Sequence, residues 1–239
     1  NNDIRFPFSL GSDNHTAVHP RIMSAIAAVN IGCAPSYGTD PVTAKAVQIF
    51  KRHFGDHIDV HFCFNGTAAN ILALAPLFKP HHSLLASEHA HINVDECSAP
   101  ERHLGLKIIP IRNTNGKLTT ELLEPHLVRR GDQHFAQVRG VSITQPTELG
   151  TLYSLEEMAA ISSFCKKHGL WFHVDGARFA NAAERLGVSF EKLTEGVDAL
   201  SFGGTKNGLL FGEAVLFLSD AARRAAVDFP YVRKQLMQL

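Results

Sequence analysis

The sequence predicts a three-layer α/β/α domain built on a mostly parallel sheet. Three observations carry that expectation. From residue 60 onward short β-rich runs alternate with longer helical patterns, the signature of parallel strands joined by crossover helices. The glycine-rich points fall at the ends of the β-rich runs, where open α/β sheets bind ligands. The 239 residues suffice for one large α/β domain and leave too little for a second of ordinary size.

Taken in order, strands are predicted over 60–64, 83–86, 107–111, 138–144, 170–174, 199–202 and 214–218. Helices are predicted over 20–29, 42–54, 68–78, 120–130, 155–168 and 220–227, so that the chain opens with a helical segment before its first strand. Ser154 and Glu157 have the spacing of a capping box at the start of the fifth helix. No internal repeat, low-complexity tract or heptad array is visible.

Composition excludes several classes of partner. The 23 basic and 23 acidic residues cancel, and no lysine or arginine run exceeds two, so no footprint for nucleic acid is present. The longest apolar stretches, such as 71–78, are too short to span a bilayer, and Asn1-Asn2-Asp3 has no signal-peptide pattern. Cys33, Cys63, Cys97 and Cys165 lie far apart without short paired spacing, which fits a reducing, cytoplasmic setting. The absent initiator methionine leads us to expect a trimmed or partial chain.

Two segments carry most of the chemistry. In Asp198-Ala-Leu-Ser-Phe-Gly-Gly-Thr-Lys206-Asn-Gly a short apolar strand ends in two glycines and delivers one lysine into a turn. In Trp171-Phe-His-Val-Asp175-Gly-Ala-Arg178 a second buried strand ends in a carboxylate, with an arginine three residues on. Alone, Lys206 reads as a solvated surface lysine and Asp175 as a helix cap. Paired at strand ends, an amine and a carboxylate suggest pyridoxal phosphate. The amine can form an imine with the cofactor aldehyde, and the carboxylate can hold the pyridine nitrogen protonated. A third segment, Val60-His-Phe-Cys-Phe-Asn65-Gly66-Thr67-Ala68, is a strand, a tight turn and a helix start. Gly66 allows close backbone approach, the Thr67 hydroxyl adds a donor, and the helix dipole favours an anion such as a phosphate. By itself this junction reads as ordinary connection chemistry.

With these segments in view, the chain resembles the low-specificity L-threonine aldolases, an aspartate-aminotransferase-like group of pyridoxal-phosphate enzymes related to the β-eliminating lyases. The resemblance runs almost end to end. It rests on Ser12-Asp13-Asn14, Tyr37-Gly38-Thr-Asp40, Phe64-Asn65-Gly66-Thr67-Ala68-Ala69-Asn70, Glu88-His89-Ala90-His91, Asp95-Glu96-Cys97, Thr144-Gln145-Pro146-Thr147-Glu148-Leu-Gly150, His173-Val174-Asp175-Gly176-Ala177-Arg178 and Phe202-Gly203-Gly204-Thr205-Lys206-Asn207-Gly208.

The resemblance implies that Lys206 carries the Schiff base, Asp175 meets the pyridine nitrogen, Gly66 and Thr67 hold the phosphate, and His91 stacks on the ring. It puts Arg178 on the substrate side of the ring, with Ser12 helping to hold the substrate carboxylate. His134, in Gly131-Asp-Gln-His134, is matched to a histidine near the substrate β-hydroxyl, a role His91 could share. The implied reaction is retro-aldol cleavage of L-threonine or L-allo-threonine to glycine and an aldehyde. The substrate amino group first displaces Lys206 from the cofactor aldehyde carbon, and removal of the β-hydroxyl proton then breaks Cα–Cβ. Resemblance also implies a homotetramer built as a dimer of dimers, with 35–40 at an interface or near the cofactor. Residues 1–239 are expected to form the large cofactor-binding domain, the family's small C-terminal domain being absent or truncated.

Two other readings are open on the sequence. One is a β-eliminating lyase sharing the same cofactor groups, and the other is a non-catalytic fragment that keeps the fold. A metal site at His53, His57 and His61 is disfavoured, because Gly55-Asp56 interrupts the helix and no acidic residue completes the ligand set.

Overall fold

The computed structural model describes residues 9–237. Seven strands form one sheet: β1 (Asp59–Cys63), β2 (His82–Ser87), β3 (Lys107–Ile111), β4 (Gln137–Thr144), β5 (Trp171–Gly176), β6 (Ala199–Gly203) and β7 (Glu213–Phe217). Their spatial order is β1-β7-β6-β5-β4-β2-β3. Only β7 runs against its neighbours, so the sheet is mostly parallel, as the sequence predicts.

The helices are α1 (Pro20–Val29), α2 (Pro41–Phe54), α3 (Gly66–Leu74), α4 (His91–Val94), α5 (Ala99–Leu104), α6 (Thr120–Leu123), α7 (Leu155–His168), α8 (Phe179–Leu186), α9 (Phe190–Leu193), α10 (Asp220–Ala225) and α11 (Phe229–Gln235). Alternation along the strands sends side chains to two cores, and the helices cover one each. On one face Leu85, Val141, Phe172, Val174 and Leu200 pack against residues of α2, α7 and α8. On the other Leu84, Ala86, Ala199, Val215 and Phe217 pack against α3, α10 and α11.

Local chemistry explains where the helices begin. Asn65 caps α3 by accepting from the Ala68 N–H, and Ser154 with Glu157 forms the full capping box of α7. In α3 every residue from Ala68 to Leu74 is buried, and its alanines let the helix lie close on the sheet. The helix predicted over 120–130 stops at Leu123 and continues as a 3-10 turn over Glu124–Leu127. Pro125 has no N–H to give to the Glu121 carbonyl, so the α-helical ladder breaks there. Helices α4, α5, α8, α9 and α11 were not predicted. They span four to eight residues, too few for a helical period to stand out.

Candidate active site

The C-terminal ends of the parallel strands meet in a cleft of about 410 Å³ whose walls include Gly66, Thr67, His91, Asp175, Arg178 and Lys206. A second cleft, about 540 Å³ and mainly apolar, runs along Val47, Phe50, Phe62, Phe202 and Leu209. It reaches neither Lys206 nor Asp175.

Asp175 is the penultimate residue of β5, beside Thr144 of β4 on the face covered by α3, and is only 6% exposed. Its Oδ2 accepts from Asn70 Nδ2 at 2.9 Å and its Oδ1 from the Ala177 N–H at 3.0 Å. The same Asn70 amide donates to Glu96 Oε1 at 2.8 Å, and that oxygen also lies 2.9 Å from His91 Nδ1. A carboxylate only accepts, so Nδ1 carries the proton. The hydrogen bond that His91 donates to Glu96, aided by the charges of Glu96 and Asp175 and opposed by burial and Lys206, raises the His91 pKa above the ordinary 6.5.

Lys206 sits in a 3-10 turn, Thr205–Asn207, directly after β6. The turn is braced at several points: Asn207 Nδ2 donates to the Gly203 carbonyl at 2.9 Å, the Gly204 N–H to Glu213 Oε2 at 2.6 Å, and the Gly212 N–H to Thr205 Oγ1 at 3.1 Å. Gly203 is required by close approach, since a Cβ there would overlap the Ala177 carbonyl. Among the described residues Lys206 Nζ makes no hydrogen bond or ion pair, so the braced turn presents an uncommitted amine.

At the start of α3 the Ala69 N–H bonds to the Asn65 carbonyl and the Ala68 N–H to the Asn65 side chain. The N–H groups of Gly66 and Thr67 precede these bonds and face an anion-favouring dipole. A Cβ added to Gly66 would meet nothing within 4 Å. The open space there is what a phosphate needs.

Arg178 reaches the cleft with its fork already engaged. Nη2 donates to Asp13 Oδ1 at 2.9 Å and Nε to Asp13 Oδ2, which holds the Asp13 carboxyl below its ordinary value and the guanidinium above its own. Ser12 stands next to this pair, but its hydroxyl accepts the Asn14 N–H and caps the short turn Asp13–His15. A second tie holds this segment, the His19 N–H donating to the Gly208 carbonyl at 3.0 Å.

His134 is not brought to the cleft within this chain. It precedes β4 at the Gln137 end, exposed, with its backbone N–H on Asp132 Oδ1 at 2.9 Å. The cleft lies at the Thr144 end, roughly 23 Å away at about 3.3 Å per strand residue. The physical reason is strand polarity: a residue entering a parallel strand lies on the edge opposite the ligand edge. His53, His57 and His61 are likewise dispersed, His61 packing on Phe229 with centroids 4.3 Å apart, and no cluster of three or more His, Cys, Asp or Glu positioned for a metal ion occurs among the described residues.

Sequence reasoning assigned no role to Asn70, Glu96, Asp13 or Glu148. Glu148 lines the cleft, and its Oε1 accepts from the His91 N–H at 2.8 Å and from Thr144 Oγ1 at 2.7 Å. The signal was present, because all four residues lie within the motif blocks quoted above.

The family model described as beta-eliminating lyase matches residues 9–238. The chain belongs to that family. It is 45% identical to the low specificity L-threonine aldolase of Pseudomonas sp. (strain NCIMB 10558) over 231 residues, covering 95% of this chain and 66% of that protein. To the low specificity L-threonine aldolase of Saccharomyces cerevisiae it is 34% identical over 203 residues, 84% of this chain and 50% of the relative. A solved structure of Leishmania major threonine aldolase superposes with a TM-score of 0.85 at 30% identity, over 94% of this chain and 67% of that one. This family member thus spans 66% of the length of the Pseudomonas relative.

Proposed function

We propose that this β-eliminating lyase family member binds pyridoxal phosphate and serves retro-aldol cleavage of L-threonine and related β-hydroxy amino acids to glycine and an aldehyde. The observation that carries the proposal is the convergence of Lys206, Asp175 and the Gly66-Thr67 helix start on one cleft. The residues fit the cofactor: an uncommitted amine for its aldehyde, a buried carboxylate for its ring nitrogen, free backbone N–H groups for its phosphate, and a flat imidazole for its face. When bound, the cofactor supplies an electron sink for negative charge at the substrate Cα.

The chain's own groups do the rest. Asp175, held by Asn70 and the Ala177 N–H, would pair with the ring nitrogen. Lys206 anchors the cofactor and can move a proton at Nζ. Arg178 keeps Nη1 for a substrate carboxylate while Asp13 holds Nε and Nη2 and sets the plane of the fork. His91 and Glu148 are the groups in reach to accept a hydroxyl proton.

Two wider proposals accompany this one. Helix α1 has no buried residue and exposes Met23, Ile26 and Val29, which suits a homo-oligomeric contact and supports the expected dimer of dimers. No helix among the described residues is long and apolar enough to cross a membrane. The four cysteines are free, which suits a reducing compartment such as the cytoplasm.

The test begins with absorbance after addition of pyridoxal phosphate, followed by borohydride reduction and peptide mapping. An imine band and a label on Lys206, both lost in Lys206→Ala, are expected. No band in the wild type would overturn the cofactor assignment. Threonine should then yield glycine and acetaldehyde. Release of 2-oxobutyrate and ammonia would instead make the protein a β-eliminating enzyme.

A further inference from the structure

We propose that Glu96 is a positioning residue of the cofactor cleft, holding the His91 ring through Nδ1 and the Asp175 carboxylate through the shared amide of Asn70. The proposal rests on the reading of that cleft as a pyridoxal-phosphate site.

Four observations carry it. The Glu96 side chain has no solvent exposure and stands behind the wall of the cleft, so it acts through its neighbours. A buried carboxylate costs several kcal/mol unless well compensated. Here one oxygen takes both partners, while among the described residues Oε2 has none and Asn70 Oδ1 is also unpartnered. A packing role alone would be met as well by an apolar residue of similar volume. Next, the chain turns sharply to aim this side chain: Cys97 and Ser98, directly after it, sit at φ 50° and 56°, the left-handed region that costs a non-glycine residue about 1 kcal/mol or more.

The third observation is the connectivity. Asn70 has one amide nitrogen with two hydrogens, and it spends one on Glu96 and the other on Asp175, at 2.8 and 2.9 Å. The line His91–Glu96–Asn70–Asp175 therefore ends on the two side chains set against the cofactor ring. Moving either carboxylate moves the amide and hence the other end.

Finally, the surroundings leave Glu96 as the dominant influence on His91. Asp175 from β5, Lys206 from the turn after β6, and Glu148 from the loop after β4 also face it. Of these, Asp175 adds a smaller attraction than Glu96, Lys206 opposes, and Glu148 bonds to the backbone N–H.

The experiment uses cofactor-free protein with ring-15N-labelled histidine, the His91 signals being assigned by difference from His91→Asn. In the wild type, above the His91 midpoint, the neutral ring is expected as the Nδ1–H tautomer. In Glu96→Gln, which keeps an acceptor but removes the charge, the His91 midpoint is expected to fall by about 1 pH unit. The pyridoxal phosphate needed to half-saturate the imine band should rise about tenfold, as for loss of a well-placed supporting hydrogen bond. An Nε2–H tautomer in the wild type would overturn the proposal without any variant. So would an unmoved midpoint, or unchanged cofactor uptake, in a Glu96→Gln protein whose spectrum is that of a folded chain. Failure of the wild type to take up pyridoxal phosphate would instead refute the reading of the cleft, and the tautomer and midpoint, measured without cofactor, would still decide how Glu96 holds His91.

Discussion

His173 and Asp175 leave β5 on the same face of the sheet, one pleat repeat apart, yet the hydrogen bonds around them close in one case and stay open in the other. His173 is fully buried, and each ring nitrogen has a partner, Nδ1 with Ser142 Oγ at 2.9 Å and Nε2 with Ser201 Oγ at 3.0 Å. Burial pushes its pKa down to about 4, so the ring is neutral near pH 7, with one nitrogen donating and the other accepting. Around Asp175, by contrast, Asn70 Oδ1 and Glu148 Oε2, both on the wall of the cleft, are buried without partners among the described residues, and Lys206 Nζ is uncommitted among them. A buried polar cluster that satisfies itself holds a fold together. One that leaves capacity unused, beside a cleft, is arranged for a ligand.

Substitutions that separate stability from cofactor chemistry put this contrast at risk. The largest effect should come from Asp175→Asn, which keeps the shape but removes the charge proposed to meet the ring nitrogen. The proposed threonine cleavage should drop on the order of 10²- to 10³-fold while the urea midpoint moves little. A large loss of stability with activity kept would reverse the contrast.

His173→Leu should do the opposite. It strands the Ser142 and Ser201 hydroxyls in the core and should cost about 3 kcal/mol in urea unfolding, while the folded fraction still forms the imine band. The same residue sharpens the comparison through pH. Its folded pKa, about 4, lies below the ordinary 6.5, and His61, also depressed to about 4 by burial, behaves alike. The unfolded chain therefore binds more protons between these values. The stability tied to these two neutral rings is fully present above about pH 6.5 and declines as pH falls toward 4. Unfolding midpoints measured across that window should fall with acid, and less steeply in His173→Asn.

Gly203→Ala tests the brace of the Lys206 turn. Overlap with the Ala177 carbonyl should cost about 2 kcal/mol and weaken the imine band, because the amine moves with the turn. Smallest is Ser154→Ala, which removes the α7 cap far from both networks. About 1 kcal/mol of stability should be lost with the cofactor spectrum unchanged.

Much of this was legible in the chain. All seven strands were predicted to within a few residues, because short β-rich apolar runs alternating with longer helical patterns are local signals. Lys206, Asp175 and Gly66 could be picked out because each ends a strand or opens a helix. Asn70 could not be assigned, since its partner Asp175 is 105 residues away. Arg178 looked free for a substrate until Asp13, 165 residues earlier, was found on its fork. His134 shows a related limit: its neighbourhood in sequence is close to β4, but only the direction of that strand decides which edge of the sheet it occupies within this chain.

The sequence by itself determined the alternation of strands and helices, the caps of α3 and α7, and the residue types able to serve an electron-sink cofactor. Those properties depend on neighbours within a few positions along the chain. Only the tertiary structure decided that Asn70 joins two carboxylates, that Glu96 governs His91, and that Glu148 rather than His134 enters the cleft. Such choices are made through space, where strand order and direction bring together side chains that no local spacing relates.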